Sequence, residues 1–279
     1  MAKSALLKSS LAKKYWMALT GLFLCLFLVG HLAGNLQLIF SDASHFNQYA
    51  LFMTSNPVVK ILSYLTYISI LFHAFDGFLL TYQNVKARPI GYAKTNPSAN
   101  SSFSSRNMAV LGTLILVFII THMVNFWAVM HFDEKMPLQT VTVENMGQKM
   151  EYYITTDLGK FFPKDPMQLQ QSGIEIRNRT EFFNKQANVK MGEGYKDLYQ
   201  ITVAFFKDAK WGLIATLLYV LAMITLSFHL LHGFSSAFQS LGANHPKYNG
   251  LIKGFGKGFA IVVPLLFASI PLYIHFLLK

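Results

Sequence analysis

Five stretches of the chain stay apolar for long enough to cross a hydrocarbon core, which takes roughly 20 residues. They are residues 16–40, 58–82, 109–131, 211–238 and 257–278. The stretches between them are polar, and breaks in hydrophobicity this sharp predict helices in lipid, where every backbone group must be paired internally. Inside the five, the only formal charges are Lys60, Asp76 and Lys257. Both lysines sit at ends, where they can snorkel. The pattern predicts an all-α polytopic membrane protein, a five-transmembrane-helix bundle. It divides into residues 1–131 with three spans, a connection at 132–210, and residues 211–279 with two more. The first span is too long for a signal-peptide core of about 7–15 residues, and no A-x-A-like cleavage site follows it.

The connection 132–210 has breakers at Pro137, Pro163, Pro166 and Gly173, and a strand-like alternation over 139–143. It reads as a small external insert with local structure, clamped over the outer face. No internal repeat or low-complexity tract is visible.

Composition supports the membrane reading. Charged residues make up 13% of the chain, against about 25% in an ordinary soluble domain. The single cysteine, Cys25, excludes an internal disulfide framework, a Cys-ligated iron–sulfur cluster and thioether-linked haem. A net charge of +11 could suggest nucleic acid until the charges are placed. The N-terminal tail carries Lys3, Lys8, Lys13 and Lys14, the second connection Lys86, Arg88, Lys94 and Arg106, and the fourth Lys247 and Lys253. The first connection has one acid, Asp42, and the third balances 11 bases with 11 acids. Alternate connections are basic, which puts the N-terminus in the cytoplasm and the C-terminus outside. No nucleic acid is expected as a partner; the basic face suits anionic lipid or a cytoplasmic protein.

Histidines carry the chemistry. His31, His73, His122, His229, His232 and His275 lie in the spans, where an ionisable side chain is costly and faces the bundle interior. At 1.5 Å per residue, His31 and His122 lie about 20–22 Å from the cytoplasmic ends of their helices, at one level in the outer leaflet. His73 and His229 lie about 22–27 Å from the outer ends of theirs, at one level in the inner leaflet. The two levels are separated by roughly 10–20 Å. Two imidazoles at one depth on different helices are what a six-coordinate haem needs, and with one cysteine that haem is b-type. Gly77 and Gly233 follow His73 and His229 by four residues, one turn on along the same face, where a missing side chain leaves room for a flat macrocycle. Gly30 and Gly34 flank His31 in the same way.

The bland reading of any one such histidine is a hydrogen bond to a neighbouring helix. His232 rivals His229 from three residues away, or is interfacial. His275 fits outer-rim packing or a quinone contact, and His45, His131 and His245 read as loop or rim residues. Asp76 is either a proton site or an interfacial carboxylate paired with a base of the second connection.

These segments resemble the large diheme cytochrome b anchor of menaquinone-linked succinate dehydrogenases and fumarate reductases. The likeness is carried by Leu28-Val-Gly-His31-Leu-Ala-Gly-Asn35, Leu71-Phe-His73-Ala-Phe-Asp-Gly77, Ile120-Thr-His122-Met and Ser227-Phe-His229-Leu-Leu-His-Gly233. It implies two haems b, with His73 and His229 on the inner iron and His31 and His122 on the outer. It also favours His229 over His232. It further implies menaquinone as substrate, a bacterial cytoplasmic membrane, and flavoprotein and iron–sulfur subunits on the cytoplasmic face that hold the FAD and clusters. A higher oligomer of the complex is compatible with it. Asn47, Gln48, His45 and Tyr49 in the first connection are the quinone candidates, and Arg88, Lys94 and Arg106 the candidates for holding haem propionates. Two departures stand out. The 79 residues of 132–210 have no counterpart in the compact family pattern. Ser227 occupies the place where some fumarate reductases carry a proton-path glutamate. The alternatives are a diheme anchor for a hydrogenase or formate dehydrogenase, and a haem-free transporter that uses intramembrane histidines.

Overall fold

A computed structural model of the protein describes residues 9–90, 96–145 and 148–279. Among them are five helical spans long and apolar enough to cross a membrane: Leu11–Phe40, Pro57–Lys86, Met108–Phe132, Gly212–Ser240 and Pro246–Leu277. The first contains α1 (Ser10–Asn35) and a short continuation α2 (Gln37–Phe40). Helix α3 (Ala43–Ser55) forms the connection to α4 (Pro57–Lys86), the second span. Two short helices, α5 (Pro97–Asn100) and α6 (Phe103–Arg106), lead to the third span. That span is α7 (Met108–His122), a π-helical segment Met123–Ala128, and α8 (Val129–Phe132).

The starts are set by capping chemistry. Asn56 accepts from the amides of Val58 and Val59 at 2.9 and 3.3 Å, with Pro57 in the first turn, where its missing N–H costs nothing. His245 caps the fifth span by accepting from Lys247 N, again with proline next. For this reason the fifth span begins eleven residues before the hydrophobic run at 257: Pro246 starts the helix, while Lys247, Lys253 and Lys257 hold down the hydropathy of its first turns.

In the bundle, the first span packs against the second, the third against the fourth, and the fourth against the first; the second and third meet more sparsely. The first and third spans therefore face each other across one diagonal, and the second and fourth across the other. The fifth, α12 (Pro246–Leu272) plus a π-helical segment Tyr273–Leu277, packs on the fourth, α11 (Gly212–Ser240), and on the first. Close approach uses small residues, as expected where lipid supplies no hydrophobic drive between helices. Ala260 and Thr216 are fully buried, and a Cβ on Gly256 would come within 2.6 Å of the Phe234 ring. A Cβ on Gly212 would overlap the Phe206 carbonyl, a backbone atom that cannot swing away. Gly212→Ala should therefore destabilise the protein by about 1–3 kcal/mol, read as a lower thermal midpoint of the purified protein in detergent.

The connection between the third and fourth spans is mostly β. Strands β1 (Thr140–Asn145), β2 (Gln148–Ile154) and β3 (Phe161–Pro163) form one antiparallel sheet in that order. Strands β4 (Ile174–Arg177), β5 (Glu181–Asn184) and β6 (Val189–Glu193) form a second, with helix α9 (Pro166–Gln171) between them. The all-α expectation thus holds for the spans and not for residues 132–210. Their strand-like alternation opens β1. Phe182, fully buried, stacks on Phe162 at 4.5 Å to form the small core with Leu138.

Amphipathic α10 (Leu198–Lys207) then leads into α11. Several ties hold this region to the bundle. Lys196 and Arg179 donate to the carbonyls of Met130 and His131 at the end of the third span, placing cations where the helix dipole favours them. The C-terminal segment is held too: His275 Nδ1 donates to Phe206 O at 2.7 Å, and Lys207 donates to Leu278 O.

Candidate functional site

A cavity of about 1300 Å³ runs along the bundle, walled by the first four spans and closed at one side by Phe267, Ile270 and Pro271 of the fifth. His31, His73, His122 and His229 all line it. His31 faces His122 across the first diagonal, with ring centroids 5.9 Å apart and planes at 88°. His73 faces His229 across the second, at 6.2 Å and 71°. Imidazole nitrogens bind zinc at about 2.0–2.1 Å; adding ~1.1 Å from nitrogen to ring centre on each side separates two rings on one metal by about 6.2–6.4 Å. The His73–His229 pair has that spacing, and the His31–His122 pair is slightly closer.

The levels follow from two glycines. A Cβ on Gly21 would stand 3.1 Å from His73 Cε1, and one on Gly112 3.7 Å from His229 Cε1. Gly21 is ten residues before His31 on the first span, and Gly112 ten before His122 on the third. Each interval is about 15 Å of helix, so the two pairs lie about 15 Å apart along the bundle. These glycines were missed in the sequence, although the repeated Gly-x9-His interval was there to be read. Gly77 and Gly233 do line the cavity, but their nearest neighbours are methionine methyls at 3.9 Å. Gly30 meets nothing within 4 Å, and Gly34 gives way to the Tyr49 ring, 2.5 Å from its would-be Cβ.

The walls differ between levels. The His31–His122 pair sits among Phe27, Phe118, Phe126, Tyr219 and Phe267. Gly21 and Gly112 stand against the His73–His229 pair. Thr20 Oγ1, whose own proton goes to the Trp16 carbonyl at 2.8 Å, accepts from His73 Nδ1 at 3.3 Å. The Met17 backbone also hydrogen-bonds His73; a proton on Nδ1 would leave Nε2 with a lone pair. His122 Nδ1 has the Tyr219 hydroxyl at 3.4 Å, and His31 Nδ1 has the Asn35 amide at 3.4 Å. His229 Nδ1 is buried with no partner, which is costly for an ordinary core histidine.

The remaining candidates scatter. His232 lines the cavity without facing His73. Asp76 is buried, and the charges acting on it are Lys13 and His73, so its basic neighbour comes from the start of the first span and not from the second connection. His275 is spent on the Phe206 carbonyl, and His45 is exposed and paired with Asp42 at 2.9 Å. This pairing, with the amide of His45, holds the Asp42 carboxyl below its usual range. Gln48 donates to Ser44.

Asn47 is buried away from the cavity. Its amide donates to Gln139 and to Asp197 at 2.7 Å, and its carbonyl accepts from Tyr199 N at 2.9 Å. Of the four first-connection candidates, Tyr49 alone lines the cavity, and burial pushes its phenol up. Arg106 is committed to the carbonyls of Pro97 and Ser101, and Lys94 lies outside the described residues. Lys14, which the sequence marks only as a base of the N-terminal tail, lines the cavity at its basic end, and Lys60 lines it near the insert side.

No protein-family model matches the chain, and neither a curated protein nor a solved structure matches it.

Proposed function

We propose that this protein is the diheme membrane anchor of a succinate:quinone oxidoreductase, carrying electrons between a cytoplasmic iron–sulfur subunit and membrane menaquinone. The observation that carries the reading is the pair of diagonals: two facing imidazole pairs at 5.9 and 6.2 Å, stacked in one cavity. The residues present fit two haems b. Each facing pair could hold one haem between its two imidazoles, Gly21 and Gly112 leave space where a side chain would intrude, and the orphaned His229 Nδ1 marks a ring whose environment is incomplete without a further group.

Haem, when bound, supplies one-electron chemistry at iron. The chain's part is ligation and tuning. His73 and His229 would hold the haem nearer the basic side, and His31 and His122 the one nearer the insert. Thr20 and the Met17 backbone, both hydrogen-bonded to His73, would orient its ring and tune the basicity of the ligating nitrogen. Phe118, Phe126 and Tyr219 keep the other level dry. Lys14 stands where a propionate at the basic end would need a cation. The described bases on that side, among them Lys13, Lys86, Lys247 and Lys253, suit docking of the flavin and iron–sulfur subunits, with the N-terminus in the cytoplasm.

Purified from a host that makes haem, the protein should give a b-type reduced-minus-oxidised spectrum with about two haems per chain, two bis-imidazole sites requiring two irons. A preparation without a Soret band would overturn the reading. Copurification of flavoprotein and iron–sulfur subunits that oxidise succinate tests the assignment to this oxidoreductase.

A further inference from the structure

We propose that Tyr219 is a positioning residue for His122: its hydroxyl accepts the Nδ1 proton of the imidazole, which holds the ring in one tautomer and leaves Nε2 with the lone pair a metal requires. The inference deepens the diheme reading and rests on it for the metal; the tautomer follows from contacts within the chain.

Tyr219 stands on α11 ten residues before His229, about 15 Å along the helix, which brings it to the His31–His122 level. Aromatic rings box it in. Phe118 meets it edge-on at 4.9 Å, Phe206 at 5.0 Å and Phe205 at 5.9 Å, the T-shaped arrangement that aromatic pairs favour. Phe205 and Phe206 come from α10, and the Phe206 carbonyl is itself held by His275. A phenylalanine would fill this box equally well. The hydroxyl is what sets Tyr219 apart, and taking a hydroxyl out of water is costly unless it is hydrogen-bonded. Its partners are His122 Nδ1 at 3.4 Å and the Asn125 side chain.

Asn125 lies three residues beyond His122, on the same face, in the π-helical segment Met123–Ala128, a rare geometry that clusters at functional sites. The three side chains form a short relay, and two proton arrangements are open to it. With Nδ1 protonated, His122 donates to the Tyr219 oxygen, the phenol donates to the Asn125 carbonyl, and every donor has an acceptor. With Nε2 protonated, Tyr219 donates to Nδ1, and the Nε2–H has no acceptor among the described residues. An unsatisfied donor inside the bundle is the costlier state, so the contacts select the first arrangement.

The bland alternative, a tyrosine whose hydroxyl merely takes the nearest imidazole as its acceptor, is the second arrangement and gives the opposite tautomer. The difference has a consequence for a bound metal. A ligating histidine that donates its other N–H is oriented and made more basic, and a more basic ligand favours the oxidised iron. The other rings of the cavity are held differently: His31 Nδ1 has the Asn35 amide, and His229 Nδ1 has no partner. Tyr219 therefore bears on one of the two levels only.

The test uses the full chain in nanodiscs, purified from a host that makes haem, with the haem midpoint read by potentiometric titration in the visible. His229→Ala isolates the haem of the His31–His122 level, and His31→Ala isolates the other. Tyr219→Phe keeps the ring in its box and removes the hydroxyl. It should raise the midpoint in the His229→Ala background by about 59 mV, a roughly tenfold change in the one-electron equilibrium, and leave the midpoint in the His31→Ala background unchanged. No shift in the first background, or an equal shift in both, overturns the proposal. A parent protein that carries no haem sinks the diheme reading, and nitrogen NMR of the isotope-labelled histidines then decides the contact. His122 protonated at Nδ1 in the parent and at Nε2 in Tyr219→Phe leaves the assignment standing; an Nε2–H in the parent overturns it.

Discussion

If the chain holds two haems b as proposed, His229→Ala should remove one of them, leaving about one per chain by pyridine haemochrome assay, while His232→Ala leaves both. The two histidines are three residues apart on one helix face, and both line the cavity. Only His229 meets His73, at 6.2 Å across the diagonal. An alanine there would leave His73 as the one histidine to hold that haem, which a bundle without thioether links would lose on purification. His31→Ala and His122→Ala should each remove the other haem and spare this one, because the two levels are separated by about 15 Å of helix. The opposite result, both haems kept in His229→Ala and one lost in His232→Ala, would show that the ligand lies one turn nearer the basic side.

The second large effect is on the architecture. Asn47→Leu should detach the 132–210 region from the bundle. Asn47 is almost fully buried, and it partners Gln139, Asp197 and the amide of Tyr199 at once. Asp197 also caps α10 by accepting from Gln200 N at 2.9 Å. An isosteric apolar side chain leaves these groups buried and short of partners at about 1–3 kcal/mol each, for a total of about 3 kcal/mol or more. The eleven Lys and Arg of 132–210 make trypsin a sensitive reporter. The parent protein should resist cleavage there, and Asn47→Leu should be cut while the b-type spectrum proposed for the parent persists. Equal resistance in the two proteins would mean that the cation–carbonyl ties from Arg179 and Lys196 hold the region without it.

This role for Asn47 separates what a sequence can and cannot reveal. An Asn in the first connection looks like a free polar group beside a quinone, because its partners Gln139, Asp197 and Tyr199 are about 90 to 150 residues away. Nothing local announces them. Tyr49, two residues on, reaches the cavity because α3 turns it under Gly34, and that too depends on where the helix docks. The β-structure of 132–210 was barely legible. Its strands are three to seven residues long, and their small core depends on Phe162 meeting Phe182 across two separate sheets.

The spans and the heights of the histidines were within reach of sequence alone, for one physical reason. A bilayer demands about 20 apolar residues per crossing, and a helix rises a fixed 1.5 Å per residue, so sequence position converts directly into depth. Depth pairs His31 with His122 and His73 with His229 before any packing is known. Which helices lie on which diagonal, that 5.9 and 6.2 Å separate the rings, and that Gly21 and Gly112, not Gly77 and Gly233, stand against the imidazoles were decided by tertiary structure. Azimuth around a helix and the order of helices in a bundle come from side-chain packing between segments distant in sequence, and no single-segment periodicity encodes them.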